Sequence, residues 1–320
     1  MARPVVGSFT LTNAATLLAV ANVGVSDRLA LRENIFLKEN CGPGRKPSYK
    51  SLGGRSVRVN EYPWNVLIRI SNSRGNATCS GSLISSRHIL TAAHCMAVPY
   101  DKKQCQLPRK KRKISTILKA ENFKIYVGTK CPFQEGCVPA SQIRKAWLHE
   151  RWVRCGLKKN DIAIIELDRD ISPRQAVPIC MPESDTPLAR RLQSSGVGRD
   201  TAGETTRHLT VVTFDTYEEY PELNKIITYT RTTRASCPGD SGAGMFQMNQ
   251  KRRYTLVGVH NSGSDCSTSS LAKYEKGLLF NHFADVRRAV EWVCARSGVC
   301  PLDKGRGYGD RSNKATAGSH

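Results

Sequence analysis

Beyond Pro63 the apolar residues gather in short runs, Trp64–Ile70, Phe123–Val127, Ile162–Leu167, Leu209–Phe214 and Leu256–His260, separated by polar stretches rich in Gly, Ser and Asn. Runs of this length with turn-type punctuation predict many short strands, and so an all-β barrel or sandwich rather than alternating β/α units. One late stretch has a different period. Phe283, Val286, Val290 and Val293 recur at helical spacing around Asp285, a suitable cap, and Gly298 can end the helix. At the other end, residues 4–26 are uncharged after Arg3, with an apolar centre from Ala14 to Ala21 and a small-x-small Ala19-Val20-Ala21. This pattern predicts a secretory signal peptide over residues 1–21. No uninterrupted apolar run is long enough to span a bilayer, which argues against an integral membrane segment. After Cys300 the polar stretch 301–320 is expected to be a disordered tail.

Composition changes this picture in two ways. With 39% hydrophobic residues over 320 positions, wholesale disorder is excluded. With 49 Lys+Arg against 27 Asp+Glu, the net charge of +22 raises a nucleic-acid or acidic-surface partner. The twelve cysteines pull the other way: none forms a C-x-x-C pair, so zinc ribbons and thioredoxin-like motifs find no support. An even dozen suits disulfides in an oxidising compartment, and a nuclear role would leave them without purpose. The charge is also local. Residues 101–160 hold 16 Lys/Arg and 4 Asp/Glu, +12 of the total, centred on Arg109, Lys110, Lys111, Arg112 and Lys113. In a secreted chain this patch is a solvated loop or a surface for sulfated glycans and acidic partners, not for nucleic acid. Asn76-Ala77-Thr78 is then a glycosylation acceptor.

Three motifs carry chemistry. Thr91-Ala-Ala-His94-Cys95 sets a histidine beside a cysteine. Asn160-Asp161-Ile-Ala-Ile-Ile-Glu-Leu167 sets an acid at the entry of an apolar strand, where a carboxylate needs a partner to stay ionised. Cys237-Pro-Gly-Asp240-Ser241-Gly-Ala-Gly244 offers a glycine-rich turn that can present a hydroxyl while aiming backbone N–H groups at one point. Together they resemble the chymotrypsin-like (trypsin-fold) serine proteases in that family's order His, Asp, Ser. Gly53-Gly54, Tyr62-Pro63-Trp64, Cys79-Ser-Gly-Ser-Leu-Ile84, Val257-Gly258-Val259 and Trp292-Val293 extend the likeness over residues 41–300. The Asn-Cys-Gly lead and the basic insertions are similar to divergent members expanded in nematodes.

The resemblance implies two six-stranded antiparallel β-barrels with a C-terminal helix, and no cofactor or metal. It implies Ser241 as nucleophile, His94 as general base, Asp161 as its orienter, and the N–H groups of Gly239 and Ser241 as the oxyanion hole. It also implies a zymogen with residues 22–50 as pro-segment, cut after Lys50, the new Ser51 terminus pairing with Asp240, and residues 51–300 as the protease domain. Ser51 replaces a large β-branched residue of the family. Ala235, beside Ser236, stands at the floor of the specificity pocket and carries no acid for a Lys or Arg substrate. With Gly263 and Gly277 in wall positions, the expected preference is for large apolar P1 residues. The implied disulfides are Cys41–Cys180, Cys79–Cys95 and Cys237–Cys266. Cys105, Cys131, Cys137, Cys155, Cys294 and Cys300 stay open among 15 connectivities. The competing reading is a catalytically silent binding module on the same fold, engaging glycans or acidic partners through the basic loop.

Overall fold

The short apolar runs become strands because each needs one face in a core while its backbone finds partners on both sides. The computed structural model describes residues 28–43, 55–58, 60–73, 75–97, 102–107, 116–128, 139, 142–152, 159–197, 209–231, 240–264 and 278–302. Its strands are β1 (Arg55–Ser56), β2 (Asn65–Asn72), β3 (Gly75–Leu83), β4 (His88–Thr91), β5 (Phe123–Val127), β6 (Ile143–Leu148) and β7 (Ala163–Leu167). They continue with β8 (Leu192–Gly196), β9 (Thr210–Phe214), β10 (Thr216–Tyr220), β11 (Lys225–Arg231), β12 (Gly244–Met248), β13 (Tyr254–Gly263) and β14 (Leu278–Asp285).

Two antiparallel sheets result. The first runs β5-β2-β3-β4-β7-β6, and the second β1-β9-β8-β12-β13-β14-β11-β10. In the second, β9 stands next to the end strand β1 and β10 forms the opposite end of the hydrogen-bonded order, yet only Asp215 separates β9 and β10 in sequence. The sheet must therefore curl until its ends meet. Taken as one interrupted pass, β9 and β10 leave six chain passes plus the two-residue β1, the expected barrel with one short addition. Between the sheets, Trp64, just ahead of β2, meets Phe246 of β12 and Tyr254 of β13 at ring-centroid distances of 5.5 and 5.3 Å. Tyr62 completes this buried aromatic wedge.

One sequence expectation fails. Phe283 belongs to β14, pairing with Ile226 on one side and His260 on the other. Only Phe283 falls outside the helical stretch, because two flanking ladders hold the chain extended through Asp285, while Val286, Val290 and Val293 are buried on the helical turns that follow. Asp285 does act as a cap: its Oδ1 accepts from the Arg287 N–H at 3.1 Å, opening a 3₁₀ turn that leads into the helix Val290–Ser297. Gly298 ends that helix at φ +74°, as expected. Among the described residues no helix is long and apolar enough to cross a membrane.

The N-terminal segment carries a helix, Leu31–Asn40, that the pattern of apolar runs does not announce. Its apolar Leu31, Ile35 and Phe36 face outward, while Glu33, Asn34, Leu37 and Lys38 face the body. Buried Asn34 reads the Cys300 backbone in both directions, donating to its carbonyl at 3.1 Å and accepting from its N–H at 3.2 Å. Arg87 donates to Glu33 at 3.0 Å and to the Arg28 carbonyl at 3.3 Å. A Cβ on Gly298 would come within 2.5 Å of the Leu29 backbone nitrogen, so only glycine admits the segment. Cys41–Cys180 ties its end, and Cys294–Cys300 closes the loop that Asn34 grips. That second pairing was open in the sequence. Cys79–Cys95 also forms, whereas Cys237 and Cys266 lie outside the described residues. Cys105 is disulfide-bonded too, while Cys131, Cys137 and Cys155 lie outside the described residues.

His149, after β6, packs on the Trp292 ring of the C-terminal helix at 4.9 Å, and its Nδ1 accepts the Arg151 N–H at 3.1 Å. Burial pushes its pKa below 6.5, and Arg151 adds to this against an opposing pull from Glu150. The unfolded chain then binds the proton more readily. His149 therefore adds stability that is complete above its ordinary 6.5 and is lost as pH falls through and below it. Thermal melts of a His149→Phe variant should show a shallower loss of Tm than the parent between about pH 7 and about pH 5. Parallel curves would remove His149 from the acid response.

Candidate active site

His94 sits on a single helical turn, Ala93–Met96, that follows β4 directly. Its backbone N–H donates to Asp161 Oδ1 at 2.9 Å, and its ring Nδ1 lies 2.8 Å from Asp161 Oδ2. Both carboxylate oxygens are thus committed to one histidine, and the Asp161 side chain has no solvent exposure while His94 keeps 28%. A buried carboxylate 2.8 Å from Nδ1 favours the tautomer that carries its proton on that nitrogen.

Ser241 is brought to the same place from the second sheet. Its carbonyl accepts the Ser80 N–H at 2.7 Å, and the Cys95 sulfur lies 3.7 Å from that oxygen. The turn Asp240–Ala243 closes through Ala243 N–H to the Asp240 carbonyl at 2.8 Å, and Gly242 N–H donates to His260 at 2.8 Å. Gly242 adopts φ +85°, and a Cβ there would lie 2.2 Å from both Ser80 O and Thr91 Oγ1 and 3.2 Å from Ala92 N. The absent side chain is what lets the serine turn press against the His94 turn. Cys79, His94 and Cys95 also have their ligand atoms within 4.8 Å of one another. Both sulfurs are spent on the Cys79–Cys95 disulfide, so this trio is not a metal-ligand set.

Asp240 is buried with its carboxylate against Gly196, where a Cβ would come within 2.2 Å of Oδ1. Lys50, Ser51, Gly239, Ala235, Ser236, Gly277 and the basic loop Arg109–Lys113 lie outside the described residues. Asn76 is exposed near the start of β3. Gly263 ends β13, where the register places Asn281 of β14 opposite it. Asn281 is buried, and a Cβ on Gly263 would meet its Oδ1 at 2.8 Å. Sequence reasoning missed Asn281, since only the β13–β14 register reveals this neighbour. It also missed Asn160, whose φ of +54° immediately precedes Asp161. Asparagine tolerates that region better than most residues, which was the one available signal.

Comparison with known proteins agrees with this geometry. The Trypsin family model matches residues 51–292. Mannan-binding lectin serine protease 1 of Mus musculus is 28% identical over 240 residues, 69% of this chain but 33% of the relative. Phenoloxidase-activating factor 3 of Holotrichia diomphalia is 27% identical over 293 residues, 83% of this chain and 79% of the relative. The venom peptide isomerase heavy chain of Agelenopsis aperta is 27% identical over 238 residues, covering 67% and 90%. The chain thus spans only a third of the length of the mannan-binding lectin protease.

Proposed function

Because the chain belongs to the trypsin family, we propose that it is a secreted serine endopeptidase made as a zymogen. The observation that supports the proposal is the His94–Asp161 pair at 2.8 Å, with the Ser241 carbonyl 3.7 Å from the sulfur of Cys95, the residue after His94. In the proposed reaction the Ser241 hydroxyl oxygen attacks the scissile carbonyl carbon as its proton passes to His94 Nε2. Collapse of the tetrahedral oxyanion breaks the C–N bond, and His94 returns the proton to the leaving amine. Water then repeats the sequence on the acyl-enzyme and frees Ser241. Asp161 holds the Nδ1–H tautomer and stabilises the imidazolium, while the Gly239 and Ser241 N–H groups face the oxyanion.

Activation follows the family logic. A cut after Lys50 frees the Ser51 amine to pair with Asp240, and Cys41–Cys180 retains residues 22–50 on the mature domain. Ser51 fills an apolar pocket less well than a β-branched residue, so the active form is held less tightly. Ala235 supplies no acid at the pocket floor, which favours an apolar P1 residue. Efficient turnover after Arg with little after Leu or Phe would refute this preference. Secretion brings Asn76 to a glycosylation machinery, and its exposure suits an attached glycan.

Labelling by a fluorophosphonate probe after limited cleavage near Lys50 tests the whole reading. The expected result is modification of Ser241, lost in His94→Ala. Failure to label under every cleavage condition would point instead to a silent binding module.

A further inference from the structure

Asp161 belongs to the first sheet and Ser241 to the second, so the two sheets must be held in register for the three side chains to align. We infer that Asn224, in the turn that joins β10 to β11 of the second sheet and outside the catalytic set, positions Asp161 by gripping the residue before it.

Asp161 sits at the centre of a tight turn in which Ile162 N–H donates to the Asn160 carbonyl at 2.8 Å. Asn160 enters the turn at φ +54°, a left-handed conformation that asparagine tolerates better than most residues and that its side-chain contacts here hold in place. The enforcing contacts are visible. Asn160 Nδ2 donates to the Arg151 carbonyl at 3.1 Å, and its Oδ1 accepts from Asn224 Nδ2 at 2.6 Å. Asn224 is itself locked at φ +50°, with its N–H on the Pro221 carbonyl at 3.1 Å and its carbonyl accepting the Asp285 N–H at 2.9 Å.

A second amide grips the other side of the turn. Asn261 Nδ2 donates to the Asp161 carbonyl at 3.3 Å while its Oδ1 accepts the Ala284 N–H at 2.9 Å. Consecutive N–H groups at the end of β14, on Ala284 and Asp285, therefore anchor the two asparagines that flank the acid. Asn261 also follows His260, whose carbonyl holds Gly242 beside the nucleophile. β14 and the adjoining end of β13 thus act as a common ruler for the acid and the serine.

The kinetic consequence rests on the protease reading; the positional one does not. Asn224→Gly keeps the left-handed backbone and removes only the amide, and Asn160→Gly removes the same bond from the other side together with the Asn160 bond to the Arg151 carbonyl. Each should lower kcat by about tenfold to a hundredfold with KM little changed, the scale expected for a reacting group displaced by a fraction of an ångström to about one. The double variant should lose no more than the worse single one. In both variants the proton resonance of His94 Nδ1–H, shared with Asp161, should shift or broaden, while melting temperature checks the fold. That resonance can be read without turnover, so an inactive parent would sink the protease reading and still leave the positioning testable. An unshifted resonance, with kcat unchanged in whichever variant folds, would overturn the role of Asn224.

Discussion

Gly242→Ala is expected to lower the rate of Ser241 labelling and of turnover by at least about a hundredfold, although it alters none of the reacting side chains chemically. Two penalties combine. The backbone at φ +85° is costly for any residue with a Cβ. The added methyl would also lie 2.2 Å from the Ser80 carbonyl and the Thr91 hydroxyl, which already bond each other at 2.7 Å. Neither can yield, because Ser80 is fixed in the centre of β3 and Thr91 ends β4. The serine turn must retreat instead, carrying Ser241 away from His94. Probe kinetics on folded variant protein read this directly, and labelling within a few fold of the parent would contradict the packing argument.

Trp64→Ala should produce the largest loss of stability, about 3–5 kcal/mol on the scale of buried Trp→Ala changes. The indole is fully buried and contacts Tyr62, Phe246 and Tyr254 at 5.3–5.6 Å, rings contributed from both sides of the junction between the sheets. Its removal leaves a cavity where neither sheet can collapse without sliding over the other. Trp64→Phe refills most of that volume and should cost well under half as much. Urea unfolding of both variants gives the comparison, and equal costs would mean that packing volume is not what Trp64 supplies.

Strands were legible where their apolar runs are self-contained: Phe123–Val127 is a strand over those same residues, and Leu256–His260 lies within β13. Legibility failed where distant partners decide. Phe283 looks helical in sequence and becomes extended because β11 and β13 flank it. The helix Leu31–Asn40 has Leu31, Ile35 and Phe36 outward and only Leu37 among its apolar residues inward, so periodicity points away from the face that docks. The motifs named His94, Asp161 and Ser241, since their neighbours are local in sequence. Asn224 stands 64 residues from the Asn160 it holds, and Asn281 gains meaning only from the strand pairing opposite Gly263.

The docked N-terminal segment changes what counts as the smallest self-sufficient unit for recombinant work. The family match begins at residue 51, an inviting place to start an expression clone. Such a truncation would remove Glu33, the nearer of the two carboxylates on buried Arg87, at 3.0 Å against 3.4 Å for Asp170. It would leave the Cys300 backbone without Asn34, strip Leu29 and Leu37 from the core, and orphan Cys180 as a lone thiol. By these contacts the segment Arg28–Cys41 is part of the folded body, and a faithful clone should include it.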